Sequence, residues 1–278
     1  MKVKVERKRI ETPNGKRKLL ILRPKNITEK TTGVLWLHGG GYATGMAEMV
    51  FFTRAKALAK KYGCVVVAPS YTLSWKKPYP AAAEDCYAAL VYMKEHAKEW
   101  CIRSDQLMVG GESAGGGLTA AVCLMARDRK EVNVAFQMPL YPMLDDRDTE
   151  SSRDNHAPVW NTRRNHAAWK MYLKGVEGDP PAYAAPARAE SLLGMPPCYT
   201  FIAEEEPFYS ETISYTERLK EAGIPAKVDV YKGGCHAFDM MRPWKKISKA
   251  AVAAFEKEFA YAKEHYFAKQ KDEQLQRG

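Results

Sequence analysis

The chain alternates short apolar runs with longer segments of helical character. From residue 33 onward the apolar runs are brief and almost free of charge, as in strands buried on both faces of a parallel sheet. Six such strands are predicted at residues 33–39, 64–70, 106–111, 133–142, 198–203 and 226–232. Helices are predicted at residues 47–62, 80–98, 115–128, 210–222 and 244–268. This alternation predicts an α/β fold with a mostly parallel, doubly wound sheet.

The first 30 residues have a different pattern. Two strand-like runs, residues 3–10 and 17–24, flank the turn sequence TPNGK, in which Asn14-Gly15 is a strong hairpin signal. The sequence therefore predicts an antiparallel hairpin at the start of the chain, and eight strands in all.

One connection is longer than the others. Residues 143–196 separate two predicted strands, and a connection of this length in an α/β protein is often a lid or a pocket wall. The aromatic residues Trp160, Trp169 and Tyr172 could pack it onto the rest of the protein. We expect one domain, residues 1–278, with residues 143–196 as a pocket wall or reduced cap.

Composition narrows the function classes. The 278 residues are 46% hydrophobic and carry a net charge of +10, but the lysines and arginines are spread along the chain. No basic block is interleaved with aromatic residues, so no nucleic-acid partner is expected. The six cysteines form no CxxC pair, no signal-peptide pattern is present, and no apolar run is long enough to span a membrane. We expect a cytoplasmic protein with reduced thiols and no membrane partner.

The strongest chemical signal is the sequence MVGGESAGGGL, which contains G-x-S-x-G between a predicted strand and a predicted helix. Glycines at 111 and 115 allow the sharp turn that exposes the hydroxyl of Ser113, and the following helix begins with free N–H groups. Ser113 is the candidate nucleophile.

A second signal, WLHGGGY, follows the first buried strand. Three successive glycines indicate a backbone that approaches a ligand oxygen closely, as in an oxyanion hole. We assign the N–H groups of Gly40, Gly41 and Ala114 to that hole. His38 is expected to order this loop rather than to transfer protons.

The third signal is YKGGCHAFD, after the last predicted strand. His236 completes the chain order Ser, acid, His that α/β enzymes use, in a loop at the carboxyl end of a strand. The acid should follow the penultimate strand, where the sequence has Glu204, Glu205 and Glu206. Position alone does not separate these three glutamates.

Other candidate residues have structural explanations. Asp145 and Asp146 are expected to form a turn or cap, and Asp85 to serve structure within a helix. We expect Glu112 to pack below the serine, and Cys235, adjacent to His236, is a poorer nucleophile than Ser113. His156 and His166 lack metal-site spacing, and no phosphate loop occurs, so neither a metal nor another cofactor is expected.

Taken together, HGGG, GESAG, YPAAAEDCYAAL, YAAPAR, EPFYSE and CHAF resemble the hormone-sensitive-lipase-like group of α/β-hydrolase esterases, from about Gly33 to Met240. The pattern G-x-x-D-P-L-x-D-E of that group implies Glu206 as the triad acid. This chain departs from the pattern by having Glu206 in place of Asp and Ser210 in place of the second Asp. Glu205 is the alternative acid, and Asp239 a more remote one.

The resemblance implies an α/β-hydrolase fold and a serine carboxylesterase that acts on short-chain, acetyl-like esters of small molecules. Its members usually carry an N-terminal helical cap, which we expect to be missing or much reduced here. An amidase or small peptidase with the same triad is an alternative, as is a binding protein without turnover. A homodimer is left open.

Overall fold

The computed structural model describes residues 1–271. Within these residues, eight strands form one sheet: β1 (Val3–Ile10), β2 (Arg17–Pro24), β3 (Thr31–Leu37), β4 (Val65–Pro69), β5 (Ile102–Glu112), β6 (Phe136–Leu140), β7 (Cys198–Ala203) and β8 (Ala226–Tyr231). Their order across the sheet is β1-β2-β4-β3-β5-β6-β7-β8. All pairs from β4 to β8 are parallel, which confirms the predicted mostly parallel α/β sheet.

The antiparallel part of the sheet is at its N-terminal edge. β1 and β2 pair from Ile10 opposite Arg17 to Val3 opposite Pro24, and Gly15 in their turn has φ +91°. This confirms the predicted hairpin. β2 also pairs antiparallel with β4, which attaches the hairpin to the parallel strands.

In the described part of the chain, seven helices accompany these strands: α1 (Arg54–Lys61), α2 (Ala81–Glu95), α3 (Ala114–Arg129), α4 (Thr162–Tyr172), α5 (Tyr209–Glu221), α6 (Phe238–Met241) and α7 (Lys246–His265). The predicted helix 47–62 is divided into a 3₁₀ turn, Ala47–Phe51, and α1, because Thr53 between them is extended. The short helix α6 was not predicted.

The long connection 143–196 is not without structure. It contains α4 and a short 3₁₀ turn at Pro186–Arg188, neither of which was predicted. Trp169 and Tyr172 of α4 are buried, and Tyr172 stacks on Tyr42 with ring centroids 3.9 Å apart. These aromatic contacts hold the connection against the loop that follows β3.

The parallel strands bring the predicted site residues to one edge of the sheet. The loops that follow β3, β5, β7 and β8 all leave from carboxyl ends of parallel strands, the edge at which open α/β sheets place their sites. Among residues 1–271, no helix has the length and apolar character that crossing a bilayer requires.

Candidate active site

A sharp turn joins β5 to α3. Ser113 at this turn has φ 58° and ψ −119°, a backbone conformation that is costly for a residue with a side chain. A Cβ atom on Gly115 would lie 2.1 Å from the carbonyl oxygen of Leu37, and one on Gly111 would lie 2.5 Å from the same oxygen. The glycines on both sides of Ser113 therefore allow β3 to pass close behind the turn.

The side chains of Ser113, His236 and Glu206 form one hydrogen-bonded line. The Ser113 hydroxyl lies 2.9 Å from Nε2 of His236, and Nδ1 of His236 is hydrogen-bonded to Oε2 of Glu206. All three residues are buried. In this arrangement Nδ1–H donates to the carboxylate, which leaves Nε2 free to accept the serine proton.

The three consecutive glutamates differ in burial. Glu204 and Glu205 are exposed, whereas Glu206 is fully buried in the turn after β7. The backbone N–H of Ala203 donates to Oε1 of Glu206 at 3.0 Å, so both carboxylate oxygens have partners. The structure thus brings Glu206 to His236 and leaves Glu205 facing solvent.

Aromatic rings surround the imidazole. The rings of Phe208, Tyr141 and Trp160 have their centroids 5.1, 5.2 and 6.1 Å from that of His236. The sequence analysis did not identify Phe208 or Tyr141 as site residues. Phe208 lies in the motif EPFYSE, which could have indicated it, whereas no local motif marks Tyr141.

The glycine loop after β3 runs beside the serine. A Cβ atom on Gly39 would lie 3.3 Å from the Cβ of Ser113. Gly40 and Gly41 have φ of +121° and +58°, which favour glycine. Within residues 1–271, no protein acceptor takes the backbone N–H of Gly40, Gly41 or Ala114. These three donors are therefore available to a substrate oxygen.

His38 is buried in the same loop. Its Nδ1–H donates to the carbonyl oxygen of Gly39 at 2.9 Å, and its ring stacks on Tyr71 with centroids 4.0 Å apart. Burial lowers the pKa of His38 to about 4. A neutral imidazole in these contacts agrees with the expected role of ordering the loop.

A second group of buried polar residues lies beneath the serine. The indole Nε1–H of Trp36 donates to both carboxylate oxygens of Glu112, at 3.0 and 2.9 Å. Burial, together with the negative charge of Asp239, raises the pKa of Glu112 to about 8. Asp239 itself pairs with Arg54 at 2.7 Å rather than with His236.

The remaining sequence candidates have local partners. Each aspartate pairs with an arginine: Asp145 with Arg147 (2.8 Å), Asp146 with Arg188 (2.6 Å) and Asp85 with Arg17 (2.8 Å). His156 and His166 are exposed, and each pairs with one aspartate. Cys235 is a partly exposed free thiol. In the part of the chain that the structure describes, no group of three or more His, Cys, Asp or Glu residues could hold a metal ion.

The 143–196 connection borders the site on two sides. A Cβ atom on Gly41 would lie 2.5 Å from the outer edge of the Trp160 ring, so this ring lies directly against the glycine loop. Trp160 is held by its indole N–H, which donates to Asn165 of α4 at 3.3 Å. The Asn155 amide donates to the carbonyl oxygen of Glu205 at 3.0 Å. The connection therefore contacts both the glycine loop and the loop that carries Glu206.

Known proteins share this fold and these motifs. A family profile described as alpha/beta hydrolase fold matches residues 34–240. Esterase LipI of Mycobacterium tuberculosis is 34% identical over 70% of this chain and 62% of its own length. Carboxylesterase NlhH of the same organism is 30% identical over 74% of this chain and 66% of its own length. The acetyl esterase of Salmonella typhi is 27% identical over 82% of this chain and 71% of its own length.

Solved structures agree with these sequence relationships. The structure titled bacterial heroin esterase superimposes with a TM-score of 0.86 and 33% identity, covering 91% of this chain and 82% of that one. An esterase of Pyrobaculum calidifontis gives a TM-score of 0.83 and 30% identity, covering 91% and 83%. The chain spans less than two thirds of the length of LipI and NlhH (62% and 66%). With a profile that matches most of its length, the chain belongs to the α/β-hydrolase fold family, in the hormone-sensitive-lipase-like esterase group.

Proposed function

We propose that this protein hydrolyses carboxylic esters, with Ser113 as nucleophile, His236 as general base and Glu206 as the acid that orients His236. The observation that carries the proposal is the line from the Ser113 hydroxyl, 2.9 Å from His236 Nε2, through the imidazole to the buried Glu206 carboxylate. The esterase names of the relatives and of the similar structures support the same reaction class.

In the proposed reaction, Ser113 Oγ attacks the ester carbonyl while His236 Nε2 takes its proton. The N–H groups of Gly40, Gly41 and Ala114 stabilise the negative charge on the carbonyl oxygen. His236 then protonates the departing alcohol, which leaves an acyl group on Ser113. Water, deprotonated by the same imidazole, releases the acid and restores the hydroxyl.

We further propose short, acetyl-like acyl groups and small-molecule esters as substrates. The Trp160 ring lies against Gly41 and has its centroid 6.1 Å from that of His236, so it would limit the space for the acyl group on that side of the serine. Residues 143–196 would then serve as a pocket wall of a single domain. A cytoplasmic location remains a prediction from the sequence.

The test of the reaction is hydrolysis of p-nitrophenyl acetate by the wild type and by Ser113→Ala. We expect the substitution to lower kcat by about 10⁶-fold, the loss typical of an essential triad serine. Cys235→Ala, which changes the residue beside His236, is the control and should retain activity. Activity of Ser113→Ala near that of the wild type would disprove the proposed mechanism.

The pocket-wall proposal is tested with Trp160→Ala and p-nitrophenyl esters of increasing chain length. Removing the ring should raise the octanoate-to-acetate ratio of kcat/KM by about 10-fold, the scale of one apolar contact in a pocket. Trp169→Phe in α4, which keeps an aromatic ring at a buried position of the same connection, is the control. An unchanged ratio in Trp160→Ala would show that this wall does not set acyl length.

A further inference from the structure

The tripeptide Trp-Lys-Lys occurs twice in the sequence, at residues 75–77 and 244–246. The first copy lies in the loop after β4, and the second spans the end of the α6–α7 connection and the first residue of α7, shortly after His236. Both loops leave the carboxyl edge of the sheet, which is also the edge that carries Ser113. Every residue of both tripeptides is exposed, and residues 241–246 form a continuous exposed run.

The tryptophans in these loops are part of a larger apolar surface. Trp75 and Trp244 are 61% and 69% exposed, and Phe52, at the N-terminal end of α1, is 85% exposed. Met46 and Met241 are exposed beside them. We call these five residues the apolar rim. Isolated exposed apolar side chains are ordinary, but several large ones around one site indicate an interaction surface.

Contacts between neighbouring segments connect the members of the apolar rim. A cavity of about 460 Å³ is lined by Lys76 and by Gly45, so it lies between the Trp75 loop and Met46. The 3₁₀ turn Ala47–Phe51 leads from Met46 to Phe52. Arg54, two residues later, pairs at 2.7 Å with Asp239, two residues before Met241.

The apolar rim also adjoins the catalytic loops. A Cβ atom on Gly45 would lie 2.4 Å from Nδ1 of His38, so the residue before Met46 contacts the glycine loop. The other end of the rim follows His236 in sequence. The segments that carry the rim are therefore connected to the glycine loop at one end and to the loop of His236 at the other.

Positive charge accompanies the exposed aromatic rings. The rim is interleaved with five exposed cations: Lys76, Lys77, Arg242, Lys245 and Lys246. Lys77 donates to the neutral Asn14 amide oxygen at 2.7 Å, and Lys76 lies 5.0 Å from the Trp75 ring. Within the described residues 1–271, none of the five forms an ion pair with a carboxylate. Lys16, Arg17 and Lys18 also line the cavity beside Trp75, but each pairs with a carboxylate, so these three add little net charge to the rim.

We propose that the apolar rim docks onto an anionic lipid surface, with the active-site edge of the sheet facing the lipid. Tryptophan and phenylalanine insert favourably at a membrane interface, and unpaired lysines and arginines bind anionic headgroups. A second copy of the chain fits less well, because a symmetric contact would bring the same cations face to face. The sequence-based expectation of no membrane partner rested on the lack of a spanning segment, which peripheral docking does not need.

The test is sedimentation of the intact protein with vesicles of phosphatidylcholine alone or with about 30% phosphatidylserine, an anionic lipid. The wild type should bind the anionic vesicles, more weakly as salt is raised, and should bind neutral vesicles little. Trp75→Ala/Trp244→Ala and Lys76→Glu/Lys245→Glu should each weaken binding by about 10-fold or more. Circular dichroism and the unfolding midpoint establish that the variants are folded. Because sedimentation measures vesicle binding directly, the result does not depend on ester hydrolysis.

Matched controls lie away from this edge. Leu193 and Tyr261 are also exposed apolar residues, and Lys60 and Lys257 are exposed lysines without an ion pair among the described residues. The double variants Leu193→Ala/Tyr261→Ala and Lys60→Glu/Lys257→Glu should bind within about twofold of the wild type. The proposal is overturned if the wild type does not bind anionic vesicles, or if controls and rim variants lose binding equally. It is also overturned if the tryptophan variant abolishes a dimer but leaves vesicle binding unchanged.

Discussion

Two buried glutamates lie on opposite sides of the Ser113–His236 pair, and their surroundings differ. Glu206 faces Nδ1 of His236, a group that can become a cation, and it also accepts the Ala203 N–H. Glu112 directly precedes Ser113, and both of its carboxylate oxygens accept the neutral indole N–H of Trp36.

This difference shows that burial alone does not assign a catalytic role to a carboxyl group. Beside an imidazole, a carboxylate is stabilised by the charge that develops during reaction. Without such a partner, burial raises the pKa of Glu112 to about 8, so that this group is largely protonated at neutral pH. We therefore expect Glu206 to affect rate and Glu112 to affect stability.

The largest expected effect is that of Glu206→Gln. The amide is nearly the same size but does not stabilise an imidazolium, so kcat on p-nitrophenyl acetate should fall by about 10³- to 10⁴-fold. Glu205→Gln, one residue away and exposed, is the matched control and should stay within about twofold. The reverse order of effects would assign the acid role to Glu205.

The next largest effect is the loss of stability expected in Arg54→Met, which alters the buried polar residues beneath the serine. This change removes the partner of the buried Asp239 and should lower the free energy of unfolding by about 3 kcal/mol in urea titrations. Lys61→Met, which breaks the exposed Lys61–Glu256 pair, should cost less than about 1 kcal/mol. Equal losses in the two variants would contradict the interpretation of Arg54–Asp239 as a buried structural pair.

A smaller effect is expected from Glu206→Asp, which keeps the charge and withdraws the carboxylate by one methylene. A displacement of about 1 Å should lower kcat by roughly 10- to 100-fold, less than in Glu206→Gln. The measurement is steady-state hydrolysis of the acetate ester. A loss of kcat as large as that in Glu206→Gln would mean that the position of the carboxylate matters as much as its charge.

The smallest effect, taken per pH unit, is the change in the pH dependence of stability in Glu112→Gln. The folded protein keeps a proton on Glu112 up to pH about 8, whereas the unfolded chain releases it above its ordinary pKa of 4.5. The native state thus binds more protons in this window, so Glu112 makes stability fall as pH rises from 4.5 towards 8, by up to about 1.4 kcal/mol per pH unit.

Unfolding titrations of the wild type and Glu112→Gln at several pH values in this window give the measurement. The wild type should lose stability relative to Glu112→Gln as pH rises, and the difference should level off above pH 8. A constant difference across the window would show that Glu112 is ionised in the folded protein at low pH.

The strands and the glycine motifs of the site could be predicted because short stretches of sequence encode them. Buried parallel strands are short apolar runs, and Asn14-Gly15 marks the hairpin, so all eight strands were predicted. Ser113, Gly40 and Gly41 lie in glycine motifs at strand ends, where backbone geometry restricts the residue type. The helix α4 was missed although Asn161 caps its N-terminus, because its buried aromatic face is defined by contacts with the distant Tyr42.

The sequence by itself determined the α/β framework, the turn that holds Ser113 and the candidates His236 and Glu204 to Glu206. Only the tertiary structure decided which glutamate is buried against His236, that Asp239 pairs with Arg54, and that Trp160 lies against Gly41. These contacts join segments far apart in the chain. Local sequence dictates backbone turns and strand burial, whereas the partner of a side chain depends on how distant segments pack together.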